Sequence, residues 1–282
     1  MSDREDLIKV FEDTQEWYKT DADLKEAVAA SLNGTKLYME GECLEMEWTP
    51  DSKDQTEVCV TKNKSFEAAV ALCKKFPDKR IAVHNFASAT NPGGGVVNGS
   101  RAQEECLCRC STLYPVLNTR MLWEGYYGFH RNRHDVLYTD ACIYSPGIQI
   151  IKTDTELPKR LPKEEWTQVD VITCAAPNLR ANPYNKMNPG SGAAARVTDK
   201  ELLEIHKKRA TQMLNVALAE GAQVLVLGAF GCGAFQNDPE VVARAYKEVL
   251  KDFEGAFVHI EFAVYCTPRD SKNYDVFKRV LG

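Results

Sequence analysis

Residues 81–105 (IAVHNFASATNPGGGVVNGSRAQEE) carry the chain from a mostly apolar stretch, through three consecutive glycines, into two adjacent carboxylates. The stretch from Ile81 to Phe86 reads as a buried strand. Asn91-Pro92 breaks it, and Gly93, Gly94 and Gly95 follow. Seven residues on, at Gln103, Glu104 and Glu105, a helical pattern opens, with Leu107, Cys110, Ser111 and Tyr114 on one face. A strand that hands the chain to a glycine loop, and a loop that hands two adjacent carboxylates to a helix start, lay out a candidate active site.

The rest of the chain repeats the alternation. Residues 57–60 read as a strand, and Ser65 as the cap of a helix buried through Phe66, Ala69, Val70 and Cys73 that ends near Pro77. With the strand at Ile81 this makes a β-α-β unit, for which parallel pairing is expected. The helix from Gln103 is expected to yield at Pro115, and residues 114–134 are aromatic (Trp123, Tyr126, Tyr127, Phe129) without a clean period. Residues 136–144 and 148–152 read as strands around the turn Ser145-Pro146-Gly147, and 152–165 as a surface excursion. After a strand at 169–175, the Asn-, Pro- and Gly-rich segment 180–196 reads as a loop beside the site.

Thr198 and Glu201 form a capping box for a helix buried through Leu202, Ile205, Met213 and Ala217, closed by Gly221. A strand at 224–227 precedes a helix starting at Asp238-Pro239 and buried through Val242, Tyr246, Val249 and Phe253. A strand at 257–265 and a helix at 270–281 complete the chain. The expected fold is a three-layer α/β/α sandwich on a mixed sheet, residues 51–282. Residues 1–50 show two amphipathic faces, Leu7, Val10, Phe11 and Trp17, then Leu24, Val28 and Leu32, with Gly34 as a stop. They are expected to pack on the main domain as a helical accessory segment.

Ligands of such sheets sit at the carboxyl ends of strands, and two glycine-rich loops follow strands directly. The second, Gly228-Ala229-Phe230-Gly231-Cys232-Gly233-Ala234-Phe235, suits an anion by presenting successive backbone N–H groups. It is neither a Walker motif nor a dinucleotide fingerprint. In the first, glycine lets a flat or bulky ligand lie against the backbone. Glu104 and Glu105 lie roughly 100° apart around a helix, so they serve different partners. One is suited to holding hydroxyls and the other to moving a proton, provided burial and an anionic ligand raise its pKa against the helix N-terminus. Together the loops describe a site for a phosphorylated glycoside.

The pattern NPGGG, seven residues, then QEE resembles the catalytic loop of bacterial-type poly(ADP-ribose) glycohydrolases, which are built on a macrodomain; AQEECLCRCSTLYP and GAFGCGAFQNDP extend the likeness from about residue 81 to the C-terminus. The resemblance implies a macrodomain-like catalytic domain that hydrolyses O-glycosidic ribose–ribose bonds of poly(ADP-ribose) and releases ADP-ribose. It casts Glu105 as the acid/base and Glu104 as the partner of distal ribose hydroxyls. Gln103 opens the triplet and orients its neighbours. Residues Gly228, Phe230, Gly231, Cys232, Gly233 and Ala234 belong to the diphosphate loop, and Phe235 packs near the distal ribose. Gly93, Gly94 and Gly95 face that ribose, and Asn91 is placed to bond one of its hydroxyls. Glu105 then protonates the departing oxygen and deprotonates the incoming water. The rival readings are a macrodomain that binds ADP-ribose without cleaving it, which has no need of the QEE triplet, and a hydrolase of mono-ADP-ribosylated targets.

A net charge of −5 argues against a general nucleic-acid surface, so the expected partners are ADP-ribose or poly(ADP-ribose) and ADP-ribosylated proteins. No run approaches the about 18 apolar residues of a membrane helix, and the charged N-terminus lacks a signal-peptide core. Ten cysteines in such a chain read as free thiols, several in apolar contexts (Cys73, Cys142, Cys174, Cys266), and hence as cytoplasmic. No cofactor or metal is expected. Cys106, Cys108 and Cys110 alternate around a helix and do not converge, and His130 and His134 lie in a polar stretch with no acidic partner, read as solvated or bonded to backbone.

Overall fold

In a computed structural model, which describes residues 4–42, 55–184 and 193–282, the strands form a single sheet. They are β1 (Lys36–Tyr38), β2 (Glu57–Thr61), β3 (Ile81–Phe86), β4 (Cys142–Ile150), β5 (Thr167–Cys174), β6 (Val224–Leu227) and β7 (His259–Ala263), in the order β1-β4-β5-β3-β6-β7-β2. The strands β5, β3, β6, β7 and β2 run parallel, and β1 and β4 are antiparallel to their neighbours. The mixed sheet is the expected one.

Side-chain alternation builds a separate core on each face of the sheet. Ile81, Val83, Val224 and Val226 point to the face covered by α3 (Ser65–Lys75), α4 (Gln103–Cys110) and α5 (Leu113–Leu117). Ala82, Leu225, Leu227, Ile260 and Phe262 point to the other, covered by α8 (Asp199–Ala219), α9 (Pro239–Val249) and α10 (Lys272–Leu281). Helices α1 (Arg4–Thr20) and α2 (Ala22–Gly34) close the first face, and α6 (Arg120–Leu122), the π-helical turn Trp123–Tyr127 and α7 (Gly128–Arg133) order the aromatic stretch.

Several expectations are corrected. The β2-α3-β3 unit is parallel but not paired, because β7 and β6 lie between its strands. Ser65 starts α3 without capping it; the N-cap is Lys64, and the Ser65 hydroxyl accepts from the Gln103 amide at 3.0 Å. Helix α4 stops at Cys110, not at Pro115: Ser111 turns extended and bridges Ile150, and Pro115 falls in the first turn of α5, where its missing N–H costs little. The Ser145-Pro146-Gly147 turn is a bulge within one strand, β4, where Gly147 takes φ +69° and donates to Asp170 at 2.9 Å. In the excursion after β4, Lys152 is buried and ion-paired to Asp13 of α1 at 2.7 Å. The N-terminal segment adds a short edge strand, β1, to its two helices, and its residues 43–50 lie outside the described residues, as do 185–192 of the loop read over 180–196.

Candidate active site

Strand β3 ends at the centre of the sheet, and the chain turns there through Ser88, Asn91 and the three glycines into α4. Gln103 fixes that junction. Its carbonyl accepts from the Phe86 N–H at 2.8 Å, and its amide donates to the His84 carbonyl at 2.7 Å and to Ser65. The side chain is thus consumed in stitching α4 to β3, a positioning role.

Both glutamates are turned into the glycine loop. Glu104 accepts from the Ser88 N–H at 2.7 Å, the Gly93 N–H at 3.2 Å and the Asn85 amide at 3.4 Å. It is 2% exposed, and this burial, with the Glu105 charge beside it, pushes its carboxyl up to about 8 despite the donors. Glu105 accepts from the Gly95 N–H at 2.8 Å through Oε1, while its buried Oε2 has no hydrogen-bond partner among the described residues. Burial raises its pKa above the ordinary carboxylate range, against the pull of the Gly95 N–H and the Arg109 guanidinium. A raised carboxyl with one oxygen anchored and the other unpaired is equipped to donate a proton.

Gly94 shows why the loop is made of glycine. Its φ is +55°, and a Cβ there would stand 2.6 Å from Glu105 Oε1 and 3.1 Å from Glu104 Oε2. Both carboxylates therefore converge on one residue. A Cβ at Gly93, φ +67°, would strike the Tyr114 ring at 2.8 Å. Asn91 is buried, and its side-chain oxygen accepts from Arg131, which also donates to the Thr90 carbonyl at 2.7 Å and lies over the Trp123 ring.

The second loop leaves β6 alongside the first. A Cβ on Gly228 would meet Phe86, the last residue of β3, at 2.9 Å, so the two loops share one edge of the sheet. Phe230 is 2% exposed, its ring packed on His84, Phe86 and His206, and only its backbone faces the loop. Asn237 holds the turn from inside, donating to the carbonyls of Pro177 at 2.8 Å, Gly231 at 3.1 Å and Phe235 at 3.3 Å, while its oxygen meets His206 Nε2 at 2.8 Å. Among the described residues no acceptor pairs with the amides of Gly231, Gly233, Ala234 and Phe235. Cys232 is half-buried, and Phe235 is half-buried between Tyr138 and the Arg180 guanidinium. A row of unspent amides beside a loop holding a poised carboxyl fits an anionic glycoside.

Residues 8–153 match the family model described as microbial-type PARG, catalytic domain. The chain belongs to the microbial-type PARG family. Its fold is similar to that of poly(ADP-ribose) glycohydrolase from Thermomonospora curvata, at 31% identity and TM-score 0.82, covering 98% of this chain and 99% of that one. The same enzyme bound to the inhibitor ADP-HPD gives 32% identity and TM-score 0.80 over 97% of this chain and 98% of that one. Poly(ADP-ribose) glycohydrolase from Deinococcus radiodurans in complex with ADP-ribose gives 36% identity and TM-score 0.70 over 89% and 95%. No curated protein matches the sequence.

The structure gathers the predicted residues at one sheet edge, with Gln103 and Phe230 supporting from behind. Sequence reasoning missed Asn85, Ser88, Arg131 and Asn237. Asn237 had one weak signal, its place just before the helix-starting Asp238-Pro239; the polar run around Arg131 read as solvated. His130 bonds the Tyr126 carbonyl and Thr139 through its two ring nitrogens, and His134 caps α7 at φ +52°.

Proposed function

We propose that this chain hydrolyses the O-glycosidic ribose–ribose bonds of poly(ADP-ribose), with Glu105 as general acid and then base. The observation that carries this reading is the buried Glu105 carboxyl, its Oε1 anchored beside Gly94 and its Oε2 without a hydrogen-bond partner among the described residues, within a member of the PARG family. The distal ribose lies against Gly93, Gly94 and Gly95, and Glu104 takes its hydroxyls. The diphosphate rests on the amides of Gly231, Gly233 and Ala234, and Phe235 covers the ribose. Asn91, held by Arg131, is the further hydroxyl partner. Glu105 protonates the departing oxygen as the anomeric carbon gains positive charge, then takes a proton from the water that attacks it.

The natural substrate is polymer carried on ADP-ribosylated proteins. Unpaired thiols throughout the described residues support a cytoplasmic site of action, and no described helix is long and apolar enough to cross a membrane. Residues 1–50 serve as an accessory that braces residues 51–282. In support, Phe11 meets the Tyr114 ring edge-on at 4.9 Å, and Thr14 donates to the Arg109 carbonyl of α4 at 2.7 Å.

Incubating the purified chain with poly(ADP-ribose) in EDTA tests the reading. Conversion of polymer to free ADP-ribose is expected. Polymer that is bound but persists would establish a non-hydrolytic binder instead.

A further inference from the structure

Strand β2 closes the sheet edge by pairing in parallel with β7, with Glu57 opposite His259 and Cys59 opposite Glu261. These four side chains therefore lie on one face, the face of α3, where the Phe76 ring approaches His259 at 5.6 Å. The Cys59 sulfur, a His259 ring nitrogen and a Glu261 carboxylate oxygen all lie within 4.8 Å of one another. His259 and Glu261 are buried and Cys59 half-buried, which leaves an entry from the sheet edge. None of the four takes part in the hydrolytic site.

Two details give the cluster the character of a metal site. His259 Nδ1 donates to the Glu57 carboxylate at 3.0 Å, which fixes the tautomer and leaves the Nε2 lone pair facing Cys59 Sγ at 3.6 Å. This carboxylate–imidazole pair is the usual outer support of a metal-bound histidine. The sulfur–nitrogen separation also matches: a tetrahedral zinc with its ordinary Zn–S and Zn–N lengths holds those two atoms about 3.5 Å apart. Thr61 and Asn63 both donate to Glu261 Oε1 and hold that carboxylate in place.

We propose that Cys59, His259 and Glu261 bind one transition-metal ion, zinc being the best fit, with Glu57 as the residue that orients His259. A thiolate, an imidazole and a carboxylate select zinc or cobalt over magnesium or calcium. The thiol proton is released to solvent on binding, and water from the open edge completes a tetrahedron. His259 opens β7, at the end of the sheet away from the glycine loops, so the ion's work is to pin the edge strand β2 to β7. The site leaves the EDTA-resistant hydrolysis proposed above untouched.

Titration of the full chain with Co2+ tests this. The wild type is expected to bind one ion with a sulfur-to-cobalt charge-transfer band and a rise in Tm. Cys59→Ser is expected to lose the band and the rise, with hydrolysis unchanged. Glu57→Gln is expected to keep the band but weaken affinity about 10–100-fold. A wild type with no such band, or a band that survives in Cys59→Ser, would overturn the proposal.

Discussion

The two glycine loops leave adjacent parallel strands at the same edge, yet they are built in opposite ways. The first, after β3, is packed against side chains: three of its backbone N–H groups, at Ser88, Gly93 and Gly95, are used to hold two buried carboxylates. The second, after β6, has its interior filled by Phe230 and laced by Asn237, and its outer amides are left unspent. A loop that spends amides on its own glutamates prepares chemistry, because it fixes in place a carboxyl whose burial raises its pKa against the pull of those N–H groups. A loop that saves its amides prepares binding. Glycine content alone does not distinguish the two loops; the partner of each N–H does.

This division predicts separable losses. The largest is expected for Glu105→Gln, which keeps the shape and the Gly95 contact but removes the acid: turnover should fall at least about 10²–10⁴-fold while calorimetry still registers ADP-ribose binding. Equal loss of binding would break the distinction. Next is Gly94→Ala. Its Cβ would push on both carboxylates from a strained left-handed backbone, and kcat should fall about 10²-fold through misplacement of the acid. On the binding side, Asn237→Ala removes three donations to loop carbonyls. ADP-ribose affinity should weaken by about 1–3 kcal/mol, with KM affected more than kcat. A variant that lost kcat alone would place chemistry on the wrong loop.

The smallest effects concern pH. Burial raises both carboxyls in the folded state, so the native protein holds protons that the unfolded chain has released. The sign follows: their contribution to stability is full below the ordinary glutamate pKa and is lost as pH rises, for Glu104 through about 8. Thermal unfolding between pH 5 and 8 should show falling stability in the wild type and a flatter profile in Glu104→Gln. Activity should likewise fall as pH climbs past the raised pKa of Glu105, since only its protonated form donates.

Much of this organisation is readable from residues, because local chemistry dictates it. Ile81 to Phe86 reads as a buried strand and is β3, Thr198–Glu201 caps α8 as written, and Asp238-Pro239 starts α9 with both hydrogen bonds of the cap formed. Failures came where long-range partners override local pattern. Nothing near Glu57 announces that β2 will pair with β7, some two hundred residues on in the chain, rather than with β3. Ser65 looks like a cap until Gln103 takes its hydroxyl. Arg131 and Asn237 are ordinary polar residues by local context, and only the fold brings them under Asn91 and behind Gly231. In the site itself the glycines and glutamates were legible, and the side chains that hold them were not.

Glu105 is expected to reach a ribose whose phosphates lie on the second loop. A crystal structure of Glu105→Gln with ADP-ribose tests it most directly. The diphosphate is expected on the amides of Gly231, Gly233 and Ala234, with the distal anomeric hydroxyl within about 2.6–3.2 Å of the residue-105 side chain, directly or through one water. A diphosphate elsewhere, or an anomeric carbon turned away from that side chain, would contradict it.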